Sequence, residues 1–365
     1  MRKLQKVLIP ALLASALLFT GCSATLEDET TSEGPDPVTL TLASSFATTH
    51  TNNDGLWMFL ENLEKNAPWI TVDFKGGPEV IHPNLLIEAT SAGVVDMAHL
   101  PGDYYVNQLP AMDVPRFSPF TPMEERENGV REIYDEIHRD QLGLTYLGHT
   151  VSGMPQVILV DTSLDGADLE GKSVRTSPAT SYIVEQLGGI PVDLPGGEVY
   201  TALERGVVDG ATWASVGPAS LGLEEVVNYD VSPRFYESVA NLVIYEQTWE
   251  NLEEETREAL TRTIAETEPD IFQHYLKTNI EETAVWNEAG VEENPLSDEA
   301  AERLLQLAYR DAWQDLDWDS IISATPAAER LKTAYETQFT GELTEVVPGG
   351  YNSEATQGIL EEMGQ

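Results

Sequence analysis

The sequence predicts an α/β fold of two lobes, each a mainly parallel sheet flanked by helices, with long C-terminal helices bracing the pair. Three observations carry that expectation. First, Gly93-Val94-Val95-Asp96-Met97-Ala98 returns as Gly206-Val207-Val208-Asp209-Gly210-Ala211. In both copies a helix-like run stops at a glycine suited to an αL cap, and a β-branched run follows. Second, strand, helix, strand, helix, strand alternate in that order around each copy, a pattern that builds parallel sheets with ligand groups at the carboxyl ends of the strands. Third, from Trp249 onward the apolar residues keep helical spacing. Two similar lobes imply a cleft between them in which a ligand is enclosed.

The chain opens with Arg2, Lys3 and Lys6 before an apolar run from Val7 to Phe19. That run is too short for a membrane span, so residues 1–21 read as a secretory leader. They end in Phe19-Thr20-Gly21-Cys22, similar to a bacterial lipobox although Phe19 stands where Leu is usual. Cys22 is therefore expected to carry lipid and to anchor the protein to the cell envelope, on its extracytoplasmic side. As the sole cysteine, it rules out internal disulfides, cysteine-based zinc sites and a cysteine nucleophile in the folded region. Residues 22–37 are polar, acidic and free of aromatics, an expected disordered tether.

Lobe I is expected over 38–148. Val38 to Ala43 alternates as a first strand, Leu56 to Leu63 has helical spacing, and Trp69 to Phe74 reads as a second strand turning at Lys75-Gly76-Gly77-Pro78. Leu85 to Thr90 is a helix ended by Gly93, with Val94 to His99 as the third strand. Lobe II, over 149–245, repeats this with strands at Gly171 to Arg175, Ile190 to Leu194 and Val207 to Trp213, and helices at Thr180 to Leu187 and Glu198 to Glu204. Residues 246–340 are the bracing helices. Asn251 and Glu254 make a capping pair, Phe272, Tyr275, Leu276, Ile280 and Ala284 mark one helix face, and Leu304, Leu305 and Ala308 point inward from a helix that starts at Ser297. Residues 341–365 form a loosely held tail.

With 62 Asp+Glu against 20 Lys+Arg, the formal charge is −42. Nucleic acid and anionic membrane surfaces are poor partners for such a surface. Acids spread over nearly every polar face read as adaptation to high salt, so no carboxylate signals catalysis merely by being present.

Against that background Arg175 stands out. It ends a strand, and Thr176-Ser177-Pro178 then opens a helix with a hydroxyl cap and an early proline. A guanidinium there, beside helix amides, suits a bidentate grip on a carboxylate. Trp213 holds the corresponding strand end, where its indole walls a ligand, its carbonyl serves a cation, or it is simply core. Tyr104 and Tyr105 hold the matching place in the first lobe, and at least one is expected in the cleft. Phe46 and Asn84 are weaker candidates from the same rim. A rival reading, a secreted hydrolase using Glu198 and Asp209 as a carboxylate pair, is weakened because one lies at a helix start and the other in the repeated motif. No Ser-His-Asp order, HExxH or phosphate loop supports an enzyme.

The span Gly171 to Tyr229 resembles the DctP-like extracytoplasmic solute-binding proteins of TRAP (tripartite ATP-independent periplasmic) transporters. The likeness rests on Lys172-Ser173-Val174-Arg175, Leu187-Gly188-Gly189-Ile190-Pro191-Val192, Glu198-Val199-Tyr200-Thr201-Ala202-Leu203 and Gly206-Val207-Val208-Asp209-Gly210. It extends through Gly76-Gly77, Leu109-Pro110, Val114-Pro115 and Pro119-Phe120, and covers most of Val38 to Trp313. The resemblance implies a two-lobed periplasmic-binding-protein-like fold that closes on a small organic acid and delivers it to a TRAP permease, as a monomer or homodimer and without enzymatic activity. A sensory ligand-binding protein is the alternative. Hinge strands would lie near Gly148 to Val157 and Val226 to Asn241.

The family's signature arginine falls on Arg175. The resemblance further implies that Glu237, in Arg234-Phe235-Tyr236-Glu237, and the Trp213 carbonyl are candidates to hold calcium or sodium against the ligand; no other cofactor is implied. Two departures matter. Ile158-Leu159-Val160 occupies the place where many relatives carry another arginine or polar group, and Met154-Pro155 the place of a glutamine, with Gln156 shifted. A second fixed positive charge is not expected, which favours a monocarboxylate such as a 2-oxo or 2-hydroxy acid.

Overall fold

A computed structural model describes residues 34–336 apart from Asp165 and Ala167. The leader, Cys22, most of the tether and the tail beyond 336 lie outside the described residues. The described residues from Pro35 onward group as one compact unit. No helix among the described residues is long and apolar enough to cross a membrane.

Among the described residues the strands form one nine-stranded sheet, and the two repeats lie at opposite ends of it. In the first repeat β1 (Val38–Ser44) pairs in parallel with β2 (Ile70–Gly76) on one side and β3 (Met97–Pro101) on the other. The second repeat copies the plan: β5 (Ser173–Thr176) lies between β6 (Ile190–Asp193) and β7 (Gly210–Ala214), again in parallel. Two long strands join them, β4 (Leu144–Val160) and β8 (Tyr229–Tyr245). They pair antiparallel to each other, while β8 also pairs with β3, β4 with β7, and β8 in parallel with the short β9 (Glu292–Pro295). Each repeat is thus mainly parallel, as expected, and the antiparallel pairs are confined to the joining strands.

Residues alternate between two cores, as the pleat requires: Val157 and Leu159 of β4 face one, Ile158 and Val160 the other. Helix α1 (Asp54–Asn66) lies so close to β4 that a Cβ on Gly55 would stand 1.9 Å from the Thr150 carbonyl oxygen. Helices α2 (Pro83–Ser91), α3 (Pro122–Glu127), α4 (Val130–Leu142), α5 (Pro178–Gln186), α6 (Val199–Glu204) and α7 (Glu246–Asn251) precede the long brace α8 (Glu254–Ala289).

Several sequence expectations are corrected. The third strand of each repeat begins later, at Met97 and Gly210, and not at the preceding valines. Gly93 and Gly206 sit at positive φ, and Val94 and Val207 donate their amides back to Ala89 and Ala202, closing a Schellman-type stop. Those valines are left 68% and 59% exposed. The motif's invariant element is instead its aspartate. Asp96 accepts from the Thr41 amide at 2.8 Å and hydroxyl at 2.7 Å, and Asp209 accepts from the Ser173 amide at 2.8 Å. Each carboxylate staples the third segment of its repeat to the first strand. The N-cap position of α8 falls on Glu253, whose side chain makes no capping bond, and not on an Asn251 pair. Ala284 is exposed while Glu282 and Trp286 are buried, and the run after Leu305 widens into a π-helical turn over Gln306–Asp311.

Candidate functional site

Between the two ends of the sheet lie two adjoining cavities. The inner one is floored by β4 and β8; the outer one opens toward α2 and the loop before α6. Phe46, Asp103, Tyr104, Arg175, Ser177 and Trp213 line both. These six form the partition between the chambers. Of the residues singled out in the sequence, Arg175, Trp213, Tyr104 and Phe46 are in this partition, Glu237 lines only the inner chamber, and Asn84 only the outer.

Arg175 is fixed before any ligand arrives. Its strand position beside Val192 and Ala211 aims the side chain along the carboxyl edge of the second repeat. There Nε donates to the Leu194 carbonyl at 3.0 Å and Nη1 to the Thr212 carbonyl at 2.9 Å. The guanidinium carbon stacks 4.3 Å from the centre of the Trp213 ring. That stack needs Gly196, where a Cβ would come within 2.5 Å of the indole. Neither carbonyl carries full charge; the Tyr104 hydroxyl also bonds the guanidinium, and Asp103 and Asp193 are the carboxyl groups that act on it. Burial lowers its pKa, with Tyr104, Asp103 and Asp193 opposing that shift.

The first repeat reaches across through the turn after β3. Tyr104 and Tyr105 part ways there. Tyr105 enters the core, where its hydroxyl bonds His138 at 2.9 Å and receives the Asn241 amide at 2.8 Å, whereas Tyr104 faces Arg175. Asp103 points at the start of α5, accepting from the Ser177 hydroxyl and the Ala179 amide; burial raises its pKa despite these bonds and the nearby Arg175. Asp103 escaped the sequence reading although it adjoins Tyr104.

On the floor, Glu237 follows Tyr236, whose φ of 53° is rare for a non-glycine residue. Its Oε1 accepts from the Gly153 amide at 2.5 Å, while Oε2 is buried without a partner. Burial pushes its pKa up to about 8, against the pull of the Gly153 and Met154 amides. Gln156 lines the same chamber; it pairs with Ala214 beside Trp213, and its Nε2 donates to Ser238 at 2.7 Å. Successive irregularities in β4 between Met154 and Ile158 bring it there despite its shifted place in the sequence. A second cation, Arg116, also lines the inner chamber, paired with Asp113. The expectation of no second positive charge is therefore corrected. Its signal was present, a basic residue between Pro115 and the Pro119-Phe120 motif of an acid-rich chain.

Four residues that line the inner chamber each have a buried polar atom without a hydrogen-bond partner: Asn52 (Oδ1), Arg116 (Nε), Trp213 (Nε1) and Glu237 (Oε2). Buried polar atoms are usually satisfied, so a cluster of exceptions beside a fixed guanidinium is chemically suited to receive a small polar anion. The hydrolase pair is not assembled. Glu198 is exposed at the outer rim and Asp209 is spent on its strand staple.

Comparison with known proteins agrees with this geometry. A periplasmic protein of Nostoc sp. described as binding monocarboxylate 2-oxoacids is 23% identical over 239 residues, 61% of this chain and 64% of that protein, so the match spans less than two thirds of the relative's length. An extracytoplasmic solute receptor of Bordetella pertussis, crystallised binding pyroglutamic acid, superposes with a TM-score of 0.70 at 18% identity, covering 82% of this chain and 99% of the receptor. A TRAP periplasmic solute-binding protein of Desulfovibrio salexigens with bound orotic acid superposes with a TM-score of 0.71 at 17% identity, covering 85% and 99%. The profile of a family of bacterial extracellular solute-binding proteins, receptors and not enzymes, matches residues 43–315. Matched over that span, with the repeated halves and the cavity between them in place, the chain belongs to the bacterial extracellular solute-binding protein family 7.

Proposed function

We propose that this chain captures a small organic acid outside the cytoplasm and hands it to a TRAP membrane permease, with Arg175 holding the ligand's carboxylate. The observation that carries this reading is the set of four residues, each with an unpartnered buried polar atom, that line a chamber whose guanidinium is already oriented. A ligand carboxylate would complete Arg175 in a charge-assisted pair, while Tyr104, Phe46 and Trp213 cover its apolar part. Asn84 would meet the ligand only on its way through the outer chamber.

Closure follows from topology. The stretches 38–148 and 149–245 act as lobes, and β4 and β8 are the strands that cross between them and absorb the bending. Contacts to both lobes stabilise the closed form in proportion to their differential affinity. Glu237 disfavours its own charge in this setting and so calls for a proton or a cation. Glu237, the Gln156 amide oxygen and the Trp213 carbonyl are oxygen donors of the kind that hold calcium or sodium. Such an ion would supply the positive charge that joins Glu237 to the ligand. An anchor at Cys22 would keep the receptor beside its permease, and its acidic surface would suit high salt.

The test is a thermal-shift screen of monocarboxylates, with and without calcium, followed by calorimetry on Arg175→Ala. A ligand at a hundredfold its dissociation constant stabilises by ~2.7 kcal/mol. Loss of the guanidinium is expected to weaken binding by ~3 kcal/mol or more; unchanged affinity removes Arg175 from the site.

A further inference from the structure

Arg116 is the one cation of the inner chamber that the reading above leaves without a task. It lies in the short turn Pro115–Phe117, 8% exposed, between the rings of Phe117 and Tyr236, whose centres are 4.7 and 4.9 Å from its guanidinium carbon. Asp113 pairs with Nη1. Two rings and a carboxylate thus fix the guanidinium plane, and Nε remains a buried donor without a partner. The hydroxyl of its stacking partner Tyr236 and Oε2 of Glu237, which lines the same chamber, are likewise buried atoms lacking a hydrogen-bond partner within the chain. A rigid, buried and unsatisfied donor that lines a cavity is one side of a hydrogen-bonding pocket.

The charges around that pocket restrict what it accepts. Two guanidiniums, Arg116 and Arg175, share the inner chamber with three carboxyl groups, Asp103, Asp113 and Glu237. Once the ligand's carboxylate has taken Arg175, a second anionic group would face Asp113 with Arg116 already paired. An alkyl tail would leave Arg116 Nε desolvated and empty, the situation that polar sites reject most strongly. We propose that Arg116 and Asp113 form a tail-reading subsite that selects carboxylates whose far end carries an uncharged hydrogen-bonding group, such as an amide, hydroxyl or carbonyl. This rests on the receptor reading given above, with Arg175 holding the carboxylate.

Three probes of nearly equal size separate the alternatives: glutaramate has a terminal amide, glutarate a second carboxylate, and pentanoate an alkyl end. Calorimetry on the full folded chain, with calcium present throughout, is expected to give glutaramate at least about a tenfold advantage over both others. Arg116→Met should reduce glutaramate to the level of pentanoate and leave pentanoate within about threefold of its original affinity. Asp113→Asn, at a more exposed position, uncovers the Arg116 charge and should shift preference toward glutarate; it also serves as the test if Arg116→Met does not fold by circular dichroism. Equal affinity for the three probes in the unaltered protein, or a glutaramate preference that survives both substitutions, overturns the tail subsite while Arg175-dependent binding of carboxylates stands. If no carboxylate binds at all, the receptor reading falls and the subsite falls with it.

Discussion

Two polar regions flank the long strands β4 and β8, and they differ in one respect. Behind the strands, Glu125 accepts from Ser118 at 2.8 Å, Tyr335 at 3.2 Å and His149 at 2.6 Å, while Glu268 takes Arg126 and the His149 amide at 3.0 Å. Tyr146, Asn241, Tyr105 and His138 continue the chain of bonds. These charges are paired where they are buried. In front of the strands, the chamber holds Glu237, Arg116, Asn52 and Trp213 with atoms left over. The paired network is satisfied within the chain, and the unpaired one leaves atoms free for the ligand of the proposed function.

The sharpest way to break this comparison is to damage the paired side. Glu268→Ala would leave the partly buried Arg126 without its carboxylate and the His149 amide without its acceptor, and should lower stability by ~2–3 kcal/mol, read by urea denaturation, with ligand affinity preserved. A loss of affinity with little loss of stability would mean that the two regions are not separate.

A smaller effect sharpens the unpaired side. The folded Glu237 keeps its proton up to about pH 8, whereas in the unfolded chain it titrates near 4.5. The folded state therefore binds more protons in that window, and the unliganded protein should lose stability as pH rises from about 4.5 to about 8. Glu237→Gln should flatten that slope in thermal melts across this range. An unchanged slope would show that Glu237 carries its charge in the empty chamber. On the acid side the sign reverses for His138, whose folded pKa is held at about 4 by burial. Its contribution is lost as pH falls from 6.5 toward 4.

The smallest effect concerns the repeated aspartate. Asp209→Asn keeps one acceptor for the Ser173 amide, so a cost of about 1 kcal/mol is expected, with no change in ligand affinity. A collapse of binding would return Asp209 to the site.

How much of this was legible in the sequence depends on whether the information was local. The parallel repeats and Arg175 were, because the signal at Arg175 is a strand end followed directly by a hydroxyl and a proline. Val94 and Val207 misled because a β-branched run after a helix-capping glycine looks like a strand until the cap's own bonds are traced. The union of both halves in one sheet was not legible, since it rests on pairing between β4 and β8, far apart in sequence. Gln156 was hidden by the irregular register of β4, which no pattern of side chains announces. Arg116 was written plainly, yet its role depends on Tyr236 arriving from a distant strand.

The most direct test of the central claim is a crystal structure of the protein grown with a tightly bound carboxylate from the screen. The account expects the carboxylate in the inner chamber, ~2.7–2.9 Å from the Arg175 guanidinium, with the unpartnered atoms of Trp213 and Glu237 engaged by ligand, ion or water. A ligand seated elsewhere, with Arg175 making no contact beyond those it has within the chain, would contradict it.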